Sequence, residues 1–356
     1  MTRDVRGLLC RVDLLARVFD RKGLSFTTIA AYPTTTDRLF LAVDAIDESD
    51  LAFQASAILE ITLGKKLGIE LVYATGVSAA DYVHEDGWHG LLLRDGIAQI
   101  VDGTATVTPI GDLGEKGHVS RLARANGTVF ACGTHEGGID GFIGKVDGKK
   151  FAMIAKCSDA YEPGNFKALH VGTSGRVYVG GSWGAFFVGD ASGFKPADLP
   201  ETAFATTPDD LTRRHELLSI FEKADGTVMI GCRDIGAIYA NNAVTKLGGV
   251  DRMHVRAVAE HGGIEYWAVD DRMRDVVGLY KRKDKKLSQS VAAKQKPIWH
   301  RKLPDAGIRT VVAAGKMAVT NGDRIHLHDG AAWSQLKIQP DVAALVKRVP
   351  AGMKAQ

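Results

Sequence analysis

The hydrophobic and polar positions of this chain alternate over short runs, and glycine-centred turns interrupt them at regular intervals. Five runs share one design: a strand, a turn closed by glycine, and a second β-rich strand that ends in small residues. They are TVFACG after Gly127, RVYVGG after Gly175, TVMIGC after Gly226, IEYWAV after Gly263 and KMAVTN after Gly315. Successive glycines are 48, 51, 37 and 52 residues apart. Such intervals bracket a four-stranded unit of roughly 40 to 50 residues, the length of one propeller blade. Asn126-Gly127, Ser174-Gly175 and Asp225-Gly226 are the residues that a hairpin with positive φ at its centre requires.

Third strands follow at Phe142, Ala185, Ala237 and Arg324, each closed by Asp, Asn or Gly before a short fourth strand such as AWSQL from Ala332. A sixth unit is expected around Gly90, where Asp95-Gly96 and Asp102-Gly103 punctuate short strands. The ending DGAAWSQL resembles the strand–turn–strand element of kelch-like and sialidase-type (BNR) propeller repeats. That resemblance spans roughly residues 86 to 340 and carries neither a WD dipeptide nor a full Asp box. It implies the fold, and no active-site residue transfers with it.

The expected fold is therefore mainly β, a six- or seven-bladed β-propeller with a small N-terminal α+β segment. Residues 1–80 form that segment or a degenerate blade, 81–342 the propeller blades and 343–356 a C-terminal tail. The ambiguity lies in Asp50 to Leu67, whose periodicity fits neither helix nor strand cleanly. An isolated four-stranded sheet leaves edges and one face uncovered, so blades gain stability by stacking around a channel.

Composition narrows the function. Lys+Arg exceed Asp+Glu by 45 to 42, a formal charge of +3, too small to point to nucleic acid or an anionic membrane. Cys10, Cys132, Cys157 and Cys232 are scattered and form no C-x-x-C pair. Together with an N-terminal stretch interrupted by Arg11, Asp13 and Arg17, this predicts a cytoplasmic protein in a reducing compartment.

Gly180-Gly-Ser182-Trp-Gly184 matches G-x-S-x-G, but a strand-forming run AFFVGD follows it, where a nucleophile elbow needs a helix. His326 and His328 share one side of a strand without a readable third ligand, which fits a solvated histidine face better than a metal centre. Lys281 to Lys286 reads as a solvated hairpin tip with no aromatic residue to stack bases. Trp183, Tyr239 and Trp267 are expected in the core between blades, and any of them exposed on a face becomes an interface anchor.

Aligning the repeats on their turn glycines places Arg121, Arg256 and Arg309 at one position of three first strands, with His118, Lys167 and His215 beginning such strands. Converging, they would form a positive funnel for a carboxylate, a phosphate or an acidic protein segment. Paired with neighbouring acids, they would hold the blades together instead. The expectation is a non-enzymatic protein-binding propeller, plausibly an inhibitor or immunity-type protein that neutralises a toxin or enzyme. The alternative is a hydrolase or lyase working on a small polar or sugar substrate in the channel. No cofactor, metal, catalytic residue, nucleic acid or membrane is assigned, a protein partner is expected, and the oligomeric state stays open.

Overall fold

The computed structural model of the chain describes residues 24–34, 37–47, 54–63, 68–114, 117–135, 140–197, 216–234, 236–240, 243–247, 253–271, 276–283, 286–289, 308–314, 316–321 and 324–337. Its strands run in chain order as consecutive groups of four. The first group is β1 Leu24–Pro33, β2 Arg38–Asp47, β3 Gln54–Thr62 and β4 Gly68–Thr75, and the second is β5 Ala79–Glu85, β6 Trp88–Leu93, β7 Gly96–Val101 and β8 Thr104–Pro109. The third comprises β9 His118–Ala125, β10 Thr128–His135, β11 Asp140–Asp147 and β12 Lys150–Lys156, and the fourth β13 Phe166–Val171, β14 Val177–Gly181, β15 Phe186–Asp190 and β16 Gly193–Pro196. Then come β17 Leu217–Glu222, β18 Val228–Asp234, β19 Gly236–Ala240 and β20 Ala243–Leu247, followed by β21 Met253–His261, β22 Ile264–Asp271, β23 Val276–Lys283 and β24 Lys286–Gln289. The last group is β25 Ile308–Ala314, β26 Lys316–Asn321, β27 Arg324–His328 and β28 Trp333–Lys337.

Each group is an antiparallel meander, and the strands assemble into six hydrogen-bonded sheets, the blades of a β-propeller. Five sheets have four strands. The sixth has eight because the fifth and sixth meanders join where Arg233 and Asp234 of β18 pair with His254 and Met253 of β21. Among the described strands, no sheet mixes the first strands of the chain with the last. Two-residue hairpins form at Asp86-Gly87, Asp102-Gly103 and Asn126-Gly127, where both residues have positive φ, the geometry that matches the twist of the flanking strands. At Ser174-Gly175 and Asp225-Gly226 the loop is longer and only the glycine is left-handed.

The chain divides into two compact units, one of residues 1–94, 98–107 and 312–356, the other of residues 95–97 and 108–311. In the first unit, the described part of the N-terminal segment is the four-stranded meander β1–β4. Its described residues are strands and the short connections between them. The mixed periodicity of Asp50 to Leu67 has a physical cause in β3. Ala55, Ala57, Leu59 and Ile61 pack in a cluster with Ala318, Ile325 and Leu336, while Ile58 on the other face packs with Tyr82, Leu91 and Ile100. Ile58 is the one apolar member of a face that otherwise carries Gln54, Ser56, Glu60 and Thr62, so burial of that face interrupts the alternation at a single position.

The same effect corrects the expected solvated histidine face of β27. His326 is only 2% exposed, and His328 packs its ring on Trp333 at 4.7 Å. In the second unit, three apolar clusters join successive meanders. They centre on Phe130, Phe166 and Phe187, on Phe186, Leu217 and Ile230, and on Met229, Val255 and Trp267. Cys132, Cys157 and Cys232 are buried thiols outside any disulfide, and burial pushes the Cys157 thiol up to about 12. No described helix is long and apolar enough to cross a membrane. Cys10, the Glu201 to Arg214 insertion and the C-terminal tail lie outside the described residues.

Candidate functional site

An antiparallel meander has two ends with different roles. The first-to-second and third-to-fourth hairpins lie at one end; the second-to-third connection and the link to the next meander lie at the other, called here the connection end. Binding loops carried on a rigid scaffold are the ordinary location of function.

The hairpin end of the second unit uses its polar groups internally. Glu222 of β17 is buried and reaches across to the β13–β14 loop, where its carboxylate accepts hydrogen bonds from Tyr178 Oη at 2.6 Å, Ser174 Oγ at 3.0 Å and the Ser174 amide at 3.2 Å. Burial raises its pKa, but the bonds from Tyr178, Ser174 and Thr173 outweigh that and leave it below the ordinary value. The Tyr178 hydroxyl is pushed up to about 12 by burial and by the same carboxylate. One meander on, Glu265 accepts from Arg282 Nη2 at 2.7 Å and from Arg282 Nε, and Lys223 Nζ stands 3.3 Å away. These are clamps between neighbouring strands and meanders.

The connection end is where the sequence-selected residues of the second unit fall. The first strand of each of the first six meanders carries a β-bulge, and the register places its unpaired residue at Ile29, Ala80, Ser120, Lys167, Leu218 and Arg256. They stand four or five residues before the closing pair of the following hairpin. Lys167 and Arg256 thus both occupy the bulge of their strands, whereas Arg121 stands one residue beyond it, beside the bulged Ser120. The equivalence of Arg121 with Arg256 that the turn-glycine alignment implied does not hold, because Gly127 is the second residue of its two-residue loop and Gly262 the first of its own. Bulges re-aim side chains and gather at functional rims.

The residues are not left as a bare ring of charge. Arg121 Nη1 donates to the Ser120 carbonyl at 2.9 Å. Lys167 forms an ion pair with Glu216, joining the fourth and fifth meanders. His118 is exposed at the start of β9, and Arg256 is half-buried in its bulge. His215 and the side chain of Arg309 lie outside the described residues.

Ser182 sits in a tight turn that leads into strand β15, not a helix, so no nucleophile elbow forms. Trp183, next in the turn, is 42% exposed and has φ +59° and ψ +24°. A bulky side chain in the left-handed region is uncommon and costs about 1–2 kcal/mol. The turn is nevertheless held firmly: Gly181 N donates to Ala185 O, Ala185 N to Ser182 O, and Ser182 N to Asn165 O, all at 2.9 to 3.1 Å. Of the three aromatic residues singled out in sequence, Trp267 is buried, Tyr239 is half-buried and Trp183 is exposed. The S-W-G tripeptide signalled a turn, but nothing in sequence separated an outward tryptophan from a core one. Among the described residues, no group of three or more His, Cys, Asp or Glu side chains is placed to hold a metal ion.

Comparison with known proteins fits this description at the level of fold. No protein-family model matches the chain, and no curated protein matches its sequence. Solved structures do. The extracellular domain of BT4673 from B. thetaiotaomicron superposes with a TM-score of 0.58 at 11% identity over 86% of this chain, which spans 38% of that longer protein. The β-propeller domain of the Trilobed protease from Pyrococcus furiosus, described as having an open velcro topology, gives 0.54 at 10% identity and covers 87% of this chain and 97% of its own. A chain of the mitotic checkpoint complex gives 0.55 at 10% identity, covering 86% and 88%.

Proposed function

We propose that this chain is a non-enzymatic protein-binding β-propeller that docks a partner through the connection end of its second unit. The observation that carries the reading is Trp183, an exposed aromatic residue on a rigid turn at the end where inter-meander links and bulged first strands meet. Interface energy concentrates on such aromatic anchors, which bury a large area at little entropic cost. His118, Lys167 and Arg256 lie at the same end and supply a polar rim around such an anchor. The fold supports the reading in general terms, since the mitotic checkpoint complex is itself an assembly that contains a chain of this fold.

In its narrower form the proposal is an inhibitor or immunity-type protein acting in the cytoplasm, whose partner is an enzyme or toxin that loses activity on binding. The test is photo-crosslinking in the native cell with benzoylphenylalanine in place of His118, compared with Asp147 at the hairpin end. One defined protein captured from position 118 and not from 147, and inhibited by the purified chain, is the expected result. Capture from 147 alone, or equal capture from both, would refute docking at this end. Capture at 118 without inhibition would refute only the narrower form.

A further inference from the structure

The proposed docking end has a local chemistry that specifies its guest, and this inference rests on that reading. Gly164 lies directly beneath Trp183: a Cβ at this glycine would stand 2.8 Å from the indole Cδ1 and 3.3 Å from Nε1. The pyrrole edge of the indole is therefore seated on the 157–165 loop, and only a residue without a side chain fits under it. That loop is rigid. Tyr161 Oη donates to the carbonyls of Phe186 and Ala197, both at 3.1 Å, and Cys157 Sγ donates to the Glu162 carbonyl at 3.4 Å.

The loop is also acidic. Asp159 and Glu162 are exposed, and Asp140 beside them is buried with its carboxylate bound to the Ser158 amide and hydroxyl at 3.0 and 2.7 Å. Lys156, at the start of the loop, is its only cationic side chain. An exposed indole above a carboxylate-bearing loop favours a cation, because the ring face attracts positive charge and nearby carboxylates complete its field. Phosphate and acidic peptide are disfavoured by the same carboxylates.

We propose that Trp183, Glu162 and Asp159 form a recognition site for a lysine or arginine side chain presented by the partner protein. Trp183 supplies the aromatic surface, Glu162 and Asp159 the countercharge, and the strained turn holds the indole outward before the partner arrives. That preorganisation reduces the ordering cost of binding.

The experiment follows the indole N–H resonance of Trp183 in the full chain, assigned with Trp183→Phe. The probes are a seven-residue peptide of alternating glycine and lysine, its arginine counterpart, a glutamate counterpart and a norleucine control. Saturable shifts are expected with the two basic peptides alone, weakened at least threefold by Glu162→Gln and by raised salt. No response to either basic peptide, or an equal response to norleucine or glutamate, would overturn the cation site. If crosslinking at His118 still captures a partner in that event, the docking end survives and the assigned guest falls. Thermal melting of Trp183→Gly supplies an independent check: an unchanged or raised Tm is expected, because glycine relieves the left-handed strain. A fall of several degrees would make the indole a packing element and would also overturn the proposal.

Discussion

Charged side chains in the second unit divide by what surrounds them. Glu222 has lost most of its water, and the hydroxyls and amide of the adjoining loop replace it. Truncating a buried, fully bonded carboxylate leaves its donors without partners, a loss of about 3 kcal/mol. Glu222→Ala is therefore expected to lower stability by that amount in urea denaturation, with the m-value unchanged. Lys167 and Glu216 are more exposed, so Lys167→Ala should cost under about 1 kcal/mol. Sequence alone presented these residues as comparable charges, because neither solvent access nor the partner across the blade boundary is written locally.

Within the elements, the bulge of the first strand in each of the first six meanders is the recurrent device. It was hidden because a bulge changes register by one residue without a composition signal, and Ile, Ala, Ser, Lys, Leu and Arg all occupy the position. The β5–β6 hairpin supplies a pH-dependent counterpart in the first unit. His84 and His89 face each other across the strands with rings 4.6 Å apart, and Phe40 of β2 packs on both. Burial depresses His84, partly opposed by a backbone hydrogen bond at Trp88 and by Asp86, and burial followed by the His84 charge takes His89 down to about 4. Tyr82 Oη lies 2.9 Å from His89 Nδ1, and Tyr32 stacks edge-on nearby. Since the unfolded histidines bind protons near pH 6.5 and the folded ones resist until lower pH, stability falls as pH drops from about 6.5 toward 4. Melting temperature should decline already between pH 6.5 and 5, above the carboxylate range, and His89→Phe should lessen that decline without abolishing it, because burial also lowers His170 to about 4.

At the scale of the whole molecule, meanders rely on apolar faces covered by their neighbours, and the first and last meanders share one cluster. Leu39, Leu41, Leu59 and Ile61 are fully or almost fully buried with Ala318, Ile325 and Leu336, while the Lys316–Asp37 ion pair at 2.8 Å is largely exposed. Apolar burial therefore dominates this contact. Removing residues 308–356 should uncover that face, giving dye binding and aggregation on size-exclusion chromatography, whereas Lys316→Ala should leave Tm within about 2 °C.

Glycine-centred turns, short β-rich runs and their spacing determined the repeat and the propeller class, because positive-φ turns and strand propensity are local properties read within a few residues. Tertiary structure alone decided that β1–β4 form a further meander, that His326 is buried, that Arg121 and Arg256 occupy different positions and that Trp183 faces outward. The exposure of His326 and Trp183 depends on which surface a neighbour covers and the offset of the arginines on where a bulge breaks the register, and neither is recorded in local alternation.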